Sequence, residues 1–312
     1  GVYGRRRGAC RRPLMPLLGG ARPGGGPGGK WPCLEETLES LYETYNRPEW
    51  ISPDPVECVR PYENPLDREI AGLVASGLAY GRVRQIMKSV RKVLGEMGTS
   101  PRVYLERSSR SSLERDFSSF RHRFTPAEDL VSLLTGILEL CRIHGSLENA
   151  FLAGGPAGEN YIPNLETFLR ELGEASGAGG KNSLLCLPSG GSACKRHWLF
   201  LKWMVRSDAV DPGGWGRCDP ARLLIPLDTH MYRIGRALGF TRRKTADLKA
   251  ALEVTRGFSA LVPEDPARYD FVLTRFGIRD DLRVEDLLAQ CGPAAVDIHA
   301  PEDGHAGQEE QG

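Results

Sequence analysis

The chain has 312 residues, 40% of them hydrophobic and 26% charged, with 41 basic and 40 acidic side chains. This composition provides for a sizeable folded core and excludes collagen-like and wholly disordered chains. No apolar run approaches the roughly 18–20 residues that span a bilayer; the longest, Trp198 to Val205, contains Lys202, so no membrane segment is expected. Residues 1–30 are mostly Gly, Pro and Arg, with seven basic and no acidic side chains. Such a segment cannot bury a core and is expected to be a disordered leader, either a non-native extension or the end of a fragment. Its arginines are not followed by the apolar stretch of a secretory signal.

From Leu34 the pattern turns helical, with Leu34, Leu38, Leu41 and Tyr45 at three- and four-residue steps. Pro53, Pro55, Pro61 and Pro65 mark a long irregular connection. Asp67 is placed to cap the next helix, on which Ile70, Leu73, Val74, Gly77 and Leu78 share a face. Further helices are predicted over 127–142, 162–173, 196–206, 229–239, 246–256, 266–276 and 283–290. Asp265 would cap the helix at 266–276, with Pro266 at its first position and Gly277 as its stop. Residues 174–192 read as a Gly/Ser-rich loop, and neither a run of alternating strands nor an internal repeat is present. The expected architecture is all-α: one helical body over 31–290 in two lobes, followed by an acidic flexible tail over 291–312.

Eight cysteines, Cys10, Cys33, Cys58, Cys141, Cys186, Cys194, Cys218 and Cys291, are widely and irregularly spaced with no C-x-x-C pair. That spacing argues against a zinc site or a disulfide framework and fits a reducing compartment, so a cytoplasmic location is expected. His122 and His230 read as structural, because no second ligand lies at helical spacing from either. No metal and no cofactor is expected. Charge is unevenly spread: residues 191–256 hold 13 Lys/Arg against 6 Asp/Glu, and residues 279–312 hold 2 against 9. A basic centre beside an acidic tail suits a polyanion-binding face, although solvated helix faces would give the same count.

Two stretches carry candidate chemistry. Gly191-Ser192-Ala193-Cys194 is a small-residue turn running into Lys195-Arg196 and a helix that is apolar on nearly all sides. Free N–H groups at the positive end of that helix suit a phosphate, and Lys195 there is a candidate amine nucleophile for a Schiff base. A surface lysine at a helix start is the plainer alternative. Lys202, further along the same helix, is a competing nucleophile, but its apolar neighbours predict a buried or snorkelling side chain. Trp198 and Trp203 read as core. The second stretch, Ile225 to Ile234, places Asp228 at a helix start, where it can cap the helix, act on a water or lysine, or steady a cationic sugar.

The run Leu227-Asp228-Thr229-His230-Met231-Tyr232-Arg233-Ile234 resembles the aspartate segment of the helix-hairpin-helix DNA glycosylases, which include endonuclease III and the oxoguanine glycosylases. The combination S-A-C-K-R with L-F-L-K-W-M-V-R, then I-P-L-D-T-H, then Y-D-F, resembles more closely a bacterial family, domain of unknown function 2400. The resemblance covers most of residues 33–278. It implies a two-lobed glycosylase-like fold with a cleft, Lys195 as the amine that attacks the sugar of a flipped nucleotide, and Asp228 as its helper. It further implies DNA contacts by Gly191, Ser192, Arg196, His230, Arg233, Arg236, Arg242, Arg243 and Lys244, and a base pocket near Tyr80, Gly81 and Arg82. The expected function is a base-excision N-glycosylase with a possible lyase step, acting as a monomer on duplex DNA at the bacterial nucleoid. A non-catalytic nucleic-acid-binding module and a helical scaffold for a protein partner are the alternatives. The turn before Lys195 lacks the G-x-G of the glycosylases, 33 positions separate Lys195 from Asp228, and only Cys291 follows Asp228, so no iron–sulfur cluster is expected.

Overall fold

The computed structural model describes residues 32–156, 158–177 and 182–278. The leader 1–30, the helix expected at 283–290 and the acidic tail lie outside the described residues. Among the described residues the chain forms twelve α-helices and one two-residue antiparallel hairpin.

Helix α1 (Pro32–Tyr45) buries Leu34, Leu38, Leu41 and Tyr45, the stripe read from the sequence. The proline-rich connection contains two short 3-10 turns, Pro48–Trp50 and Pro55–Cys58. Helix α2 (Pro65–Gly77) follows, capped by Asn64, whose Oδ1 accepts from the Leu66 N–H at 2.9 Å. Asp67 is therefore not the cap: Pro65 sits at the first turn, where its missing N–H costs nothing, and the helix starts three residues earlier than a cap at Asp67 would give. Asp67 instead accepts from the Ser100 hydroxyl at 2.7 Å and the Arg102 N–H at 2.9 Å. It thus steadies the start of α4 (Pro101–Arg107), after α3 (Val83–Met97).

Helices α3, α4 and α5 (Arg110–Asp116) were not assigned from sequence. Helix α3 buries Ile86, Val90, Val93, Leu94 and Met97, one stripe at helical spacing. The hairpin of β1 (Arg121–His122) and β2 (Thr125–Pro126) leads into α6 (Ala127–His144), α7 (Leu147–Leu152) and α8 (Ile162–Ala175). The start of α7 is capped from a distance: Glu69 on α2 accepts the N–H groups of Leu147 and Glu148, at 2.8 and 3.2 Å, and the Trp215 indole N–H at 3.0 Å.

Helix α9 (Lys195–Val205) runs through the core, with Trp198, Phe200, Leu201, Trp203 and Met204 essentially inaccessible. Burying each such side chain is worth roughly 1.5–3 kcal/mol, which outweighs the poor helix propensity of its aromatic residues. It packs on α2, where Phe200 and Met204 close over Gly72. Helix α10 (Thr229–Ala237) crosses α11 (Leu248–Ser259) closely, since a Cβ on Gly235 would stand 2.6 Å from Val254. The last described helix, α12 (Asp270–Ile278), returns to α1: the Tyr269 hydroxyl donates to Glu39 at 3.0 Å, and Tyr45 meets Phe276 edge-on. It begins at Asp270 rather than after Asp265, because the Asp265 carboxylate is drawn to Arg206 instead of capping a helix. No helix among the described residues is long and apolar enough to cross a membrane.

Candidate active site

The turn before α9 is fixed by its own polar groups. Gly191 and Cys194 adopt left-handed φ values of 77° and 47°. In Cys194, which has a Cβ, that conformation costs about 1–2 kcal/mol. Its N–H donates to Ser192 Oγ at 3.1 Å and its thiol to the Cys186 carbonyl at 3.0 Å, which hold it there. The Leu248 N–H donates to the Gly191 carbonyl at 3.0 Å, and Ser192 bridges Asp247, so the turn is docked on the start of α11. Arg196 ties the same turn to α2, donating to the carbonyls of Gly77 at 2.8 Å and Ser183 at 2.9 Å.

This anchoring brings Lys195 to Asp228. Asp228 Oδ1 caps α10 by accepting the Met231 N–H at 2.8 Å. Its Oδ2 lies 4.0 Å from Lys195 Nζ, with the two side chains 32% and 19% exposed. One oxygen of Asp228 thus serves the cap, and the other is left facing the amine. The amine also reaches the Ala79 carbonyl, at 3.5 Å. Both residues open onto a cleft of about 690 Å³, within the roughly 300–1,000 Å³ typical of ligand sites.

Below this pair lies a buried ionic network. Lys202 Nζ sits 3.0 Å from Asp211 Oδ1 and 3.3 Å from Asp270 Oδ2. Arg206 binds Asp211 at 2.8 Å, Asp208 at 2.5 Å and Asp265. Burial works against the charge on Lys202, but Asp211 and Asp270 outweigh it and raise its pKa. Burial likewise opposes the Asp208 carboxylate, and Arg206 with two backbone N–H groups holds it down at about 2. Asp270 goes the other way: burial pushes its carboxyl up to about 6, and Lys202 only partly offsets that push. Lys202 is 1% exposed and engaged on both sides, which leaves Lys195 as the accessible amine of the two. His197 is held neutral by burial, its pKa lowered to about 3, and its Nε2 accepts from the Cys186 N–H at 3.1 Å.

The other sequence candidates are spread around this centre. Ser192, Arg196, His230, Tyr80 and Gly81 line the cleft. Gly81 takes φ 98°, a left-handed conformation that favours glycine, with the Arg123 side chain close beside it. Arg82 and Gly191 are exposed nearby. Arg233, Arg236, Arg242 and Lys244 are exposed on α10 and the connection after it, outside the cleft lining. Arg243 is gripped by Asp247 through two bonds, at 2.9 and 2.6 Å.

Four further residues of the site received no role from sequence. Asp270 and Arg275 line the cleft from α12, and each is buried with polar atoms that have no hydrogen-bond partner: Asp270 Oδ1, and Arg275 Nε and Nη1. Arg275 is held by Asp54 through Nη2 at 2.6 Å and lies 4.4 Å from the Phe271 ring centre. Phe124, 65% exposed at the hairpin tip, stacks on Tyr80 at 4.9 Å with Arg123 beside both rings. An aromatic directly after an arginine at a two-residue turn, and an aspartate between two aromatics in Y-D-F, are the sequence signals for these positions. No group of three or more His, Cys, Asp or Glu among the described residues could hold a metal ion.

No curated protein and no solved structure matches the chain. The family model described as protein of unknown function (DUF2400) matches residues 54–279, a span that contains Lys195, Asp228, Asp270 and Arg275. The chain belongs to that family, DUF2400.

Proposed function

We propose that the protein is a DNA base-excision enzyme, an N-glycosylase with a lyase step, on a helix-hairpin-helix glycosylase-like fold in two lobes. The observation that carries this reading is the half-exposed Lys195 amine 4.0 Å from Asp228 at the mouth of a cleft. In the reaction, Asp228 takes a proton from Lys195, and the neutral amine attacks the sugar C1′ of an extruded nucleotide. The N-glycosidic bond breaks, and the base leaves with the electron pair and gains a proton. Ring opening at the C1′–O4′ bond gives a protonated Schiff base. Loss of a 2′ proton then expels the 3′ phosphate and cleaves the strand.

The surroundings suit such a substrate. The starts of α9, α10 and α11 converge at the turn Gly191–Cys194, and helix N-termini attract phosphate. Exposed Arg82, Arg233, Arg242 and Lys244 can grip the backbone. Arg275 lines the cleft and keeps two buried donors without a partner, which the hydrogen-bond acceptors of a base could satisfy. Phe124 on Tyr80 offers a flat surface beside the opening.

The test is strand cleavage at an abasic site in duplex DNA, measured with the wild type and with Lys195→Gln. Cleavage by the wild type, lost in the variant, with DNA binding that weakens as salt rises, is the expected result. Salt-dependent binding without cleavage would remove the lyase step and leave a monofunctional glycosylase or a binding module, and absence of both would remove nucleic acid as the substrate.

A further inference from the structure

The buried network beneath Lys195 carries more carboxyls than cations. Lys202 and Arg206 face Asp208, Asp211, Asp265 and Asp270. Four carboxylates against two cations in a space almost closed to water is an unfavourable charge balance, and it is relieved by retaining a proton. The hydrogen bonds say where. Asp211 binds a cation through each oxygen, and both oxygens of Asp208 accept bonds, from Val210 N–H, Asp211 N–H, Arg206 and the Tyr42 hydroxyl. Only Asp265 and Asp270 keep an oxygen with no partner, Oδ1 in each. Of these two, only Asp270 lines the cleft.

We propose that Asp270 is the general acid of the excision step, delivering a proton from Oδ1 to the departing base. The inference rests on the base-excision reading above. An N-glycosidic bond breaks with its electron pair on the base, and a proton supplied as that charge develops lowers the barrier. The Asp270 O–H bond breaks, an N–H or O–H bond forms on the base, and the carboxylate left behind faces Lys202. Water entering the cleft restores the proton. No redox partner is needed.

The charged groups around Asp270 fit this cycle. Lys202 on α9 stabilises the carboxylate after transfer, while Asp211 and the neighbouring Asp228 disfavour it beforehand. Lys195 and Arg275 also open onto the cleft, each facing a carboxylate of its own, Asp228 and Asp54. Burial and the neighbouring carboxylates set the Asp270 pKa near 6, close enough to neutrality for an acid to be both protonated and effective. The division of labour is then Lys195 and Asp228 on the sugar, and Asp270 on the base.

The experiment compares wild type, Asp270→Asn and Asp265→Asn on duplexes carrying uracil, 5-fluorouracil or 8-oxoguanine, and on a duplex with an abasic site. An abasic site has no base to protonate. Asp270→Asn is therefore expected to lose far less there than on the base-containing duplexes, and retained cleavage shows that the variant folds. On the base-containing duplexes the variant should lose roughly 10²–10⁴-fold in single-turnover excision. The loss should be smaller for 5-fluorouracil, the better leaving group, than for uracil, and the fall in rate as pH rises past the acid's pKa should disappear. Asp265→Asn should leave excision unchanged. Equal excision by Asp270→Asn and wild type overturns the proposal, as does an equal loss on uracil, 5-fluorouracil and the abasic site. Wild-type cleavage of abasic DNA without excision of any of these bases also overturns it. Failure of the wild type on abasic DNA refutes the underlying base-excision reading instead.

Discussion

Lys195 Nζ stands 4.0 Å from Asp228 Oδ2 although 33 positions of chain separate the two residues. The closeness follows from backbone docking: the turn before α9 is bonded to the start of α11, and α10 packs on α11 through Gly235. The intervening residues 206–227 are not slack. They include Asp208 and Asp211, two of the carboxylates that bind Lys202 and Arg206, and Trp215, which reaches Glu69.

Because Asp228 caps α10 through one oxygen and faces Lys195 with the other, two substitutions should part the cap from the proposed proton transfer. Asparagine caps helices as well as aspartate does. Asp228→Asn should therefore keep the Met231 bond and melt close to wild type, while losing roughly 10²–10⁴-fold in strand cleavage. Asp228→Ala should lose the same activity and about 1 kcal/mol of stability besides. Thermal melting and single-turnover rates on abasic DNA measure both effects. Wild-type activity in Asp228→Asn would reduce the residue to a cap.

Lys202 is the opposite case, a lysine whose importance lies in the fold. Lys202→Met would leave Asp211 and Asp270 without their shared cation inside the protein. Removing one member of a buried ion pair costs about 3–5 kcal/mol, and denaturant unfolding should show a loss of that size. Lys195→Met, at a half-exposed position with only long contacts, should unfold near the wild-type midpoint.

Glu69 supplies a pH signature. Burial pushes its carboxyl up from 4.5 to about 7, despite the three N–H donors it serves. The native state thus holds the proton more tightly than the unfolded chain. Unfolding releases it between about pH 4.5 and 7, so stability falls as pH rises through that window, by on the order of 3 kcal/mol in total. His197 works the other way: its pKa is lowered from 6.5 to about 3, so its neutral burial favours the fold increasingly from pH 3 to 6.5. The comparison that isolates Glu69 is unfolding of wild type against Glu69→Gln from pH 4.5 to 7.5. The difference between them should slope with pH, and a constant difference would contradict the burial argument.

Among the described cysteines, Cys186 should react first. The neighbouring Cys194 side chain outweighs burial, with Ser192 and Arg196 adding to the effect, so the Cys186 thiol sits below the usual range. Cys141 and Cys218 are pushed up to about 12 by burial. Iodoacetamide labelling at pH 7, mapped by mass spectrometry, should modify Cys186 ahead of both, and labelling should block the cleft that Cys186 lines. Faster labelling of Cys141 or Cys218 would contradict this assignment.

Local physics makes eight of the twelve described helices and the two motif starts readable from sequence, while α3, α4, α5 and α7 are not assigned from it. Trp198 and Trp203 were expected in the core from the apolar run around them, and both are buried there. Errors arose where a polar residue had a distant partner. Asp67 and Asp265 look like caps in sequence, but one serves Ser100 and Arg102 and the other Arg206. Asp270 and Arg275 could not be read as site residues, because their significance depends on which neighbours α9 and the Asp54 turn bring to them. Helix α3 is different: its stripe from Ile86 to Met97 is local, and its periodicity was there to be read.

The most direct test is to treat the protein with borohydride on duplex DNA carrying an abasic site, then digest any adduct and locate the modified residue. The account predicts one covalent adduct, on Lys195, absent from both Lys195→Ala and Lys195→Gln. An adduct on Lys202 or any other residue, or no adduct from a protein that binds the duplex, would contradict it.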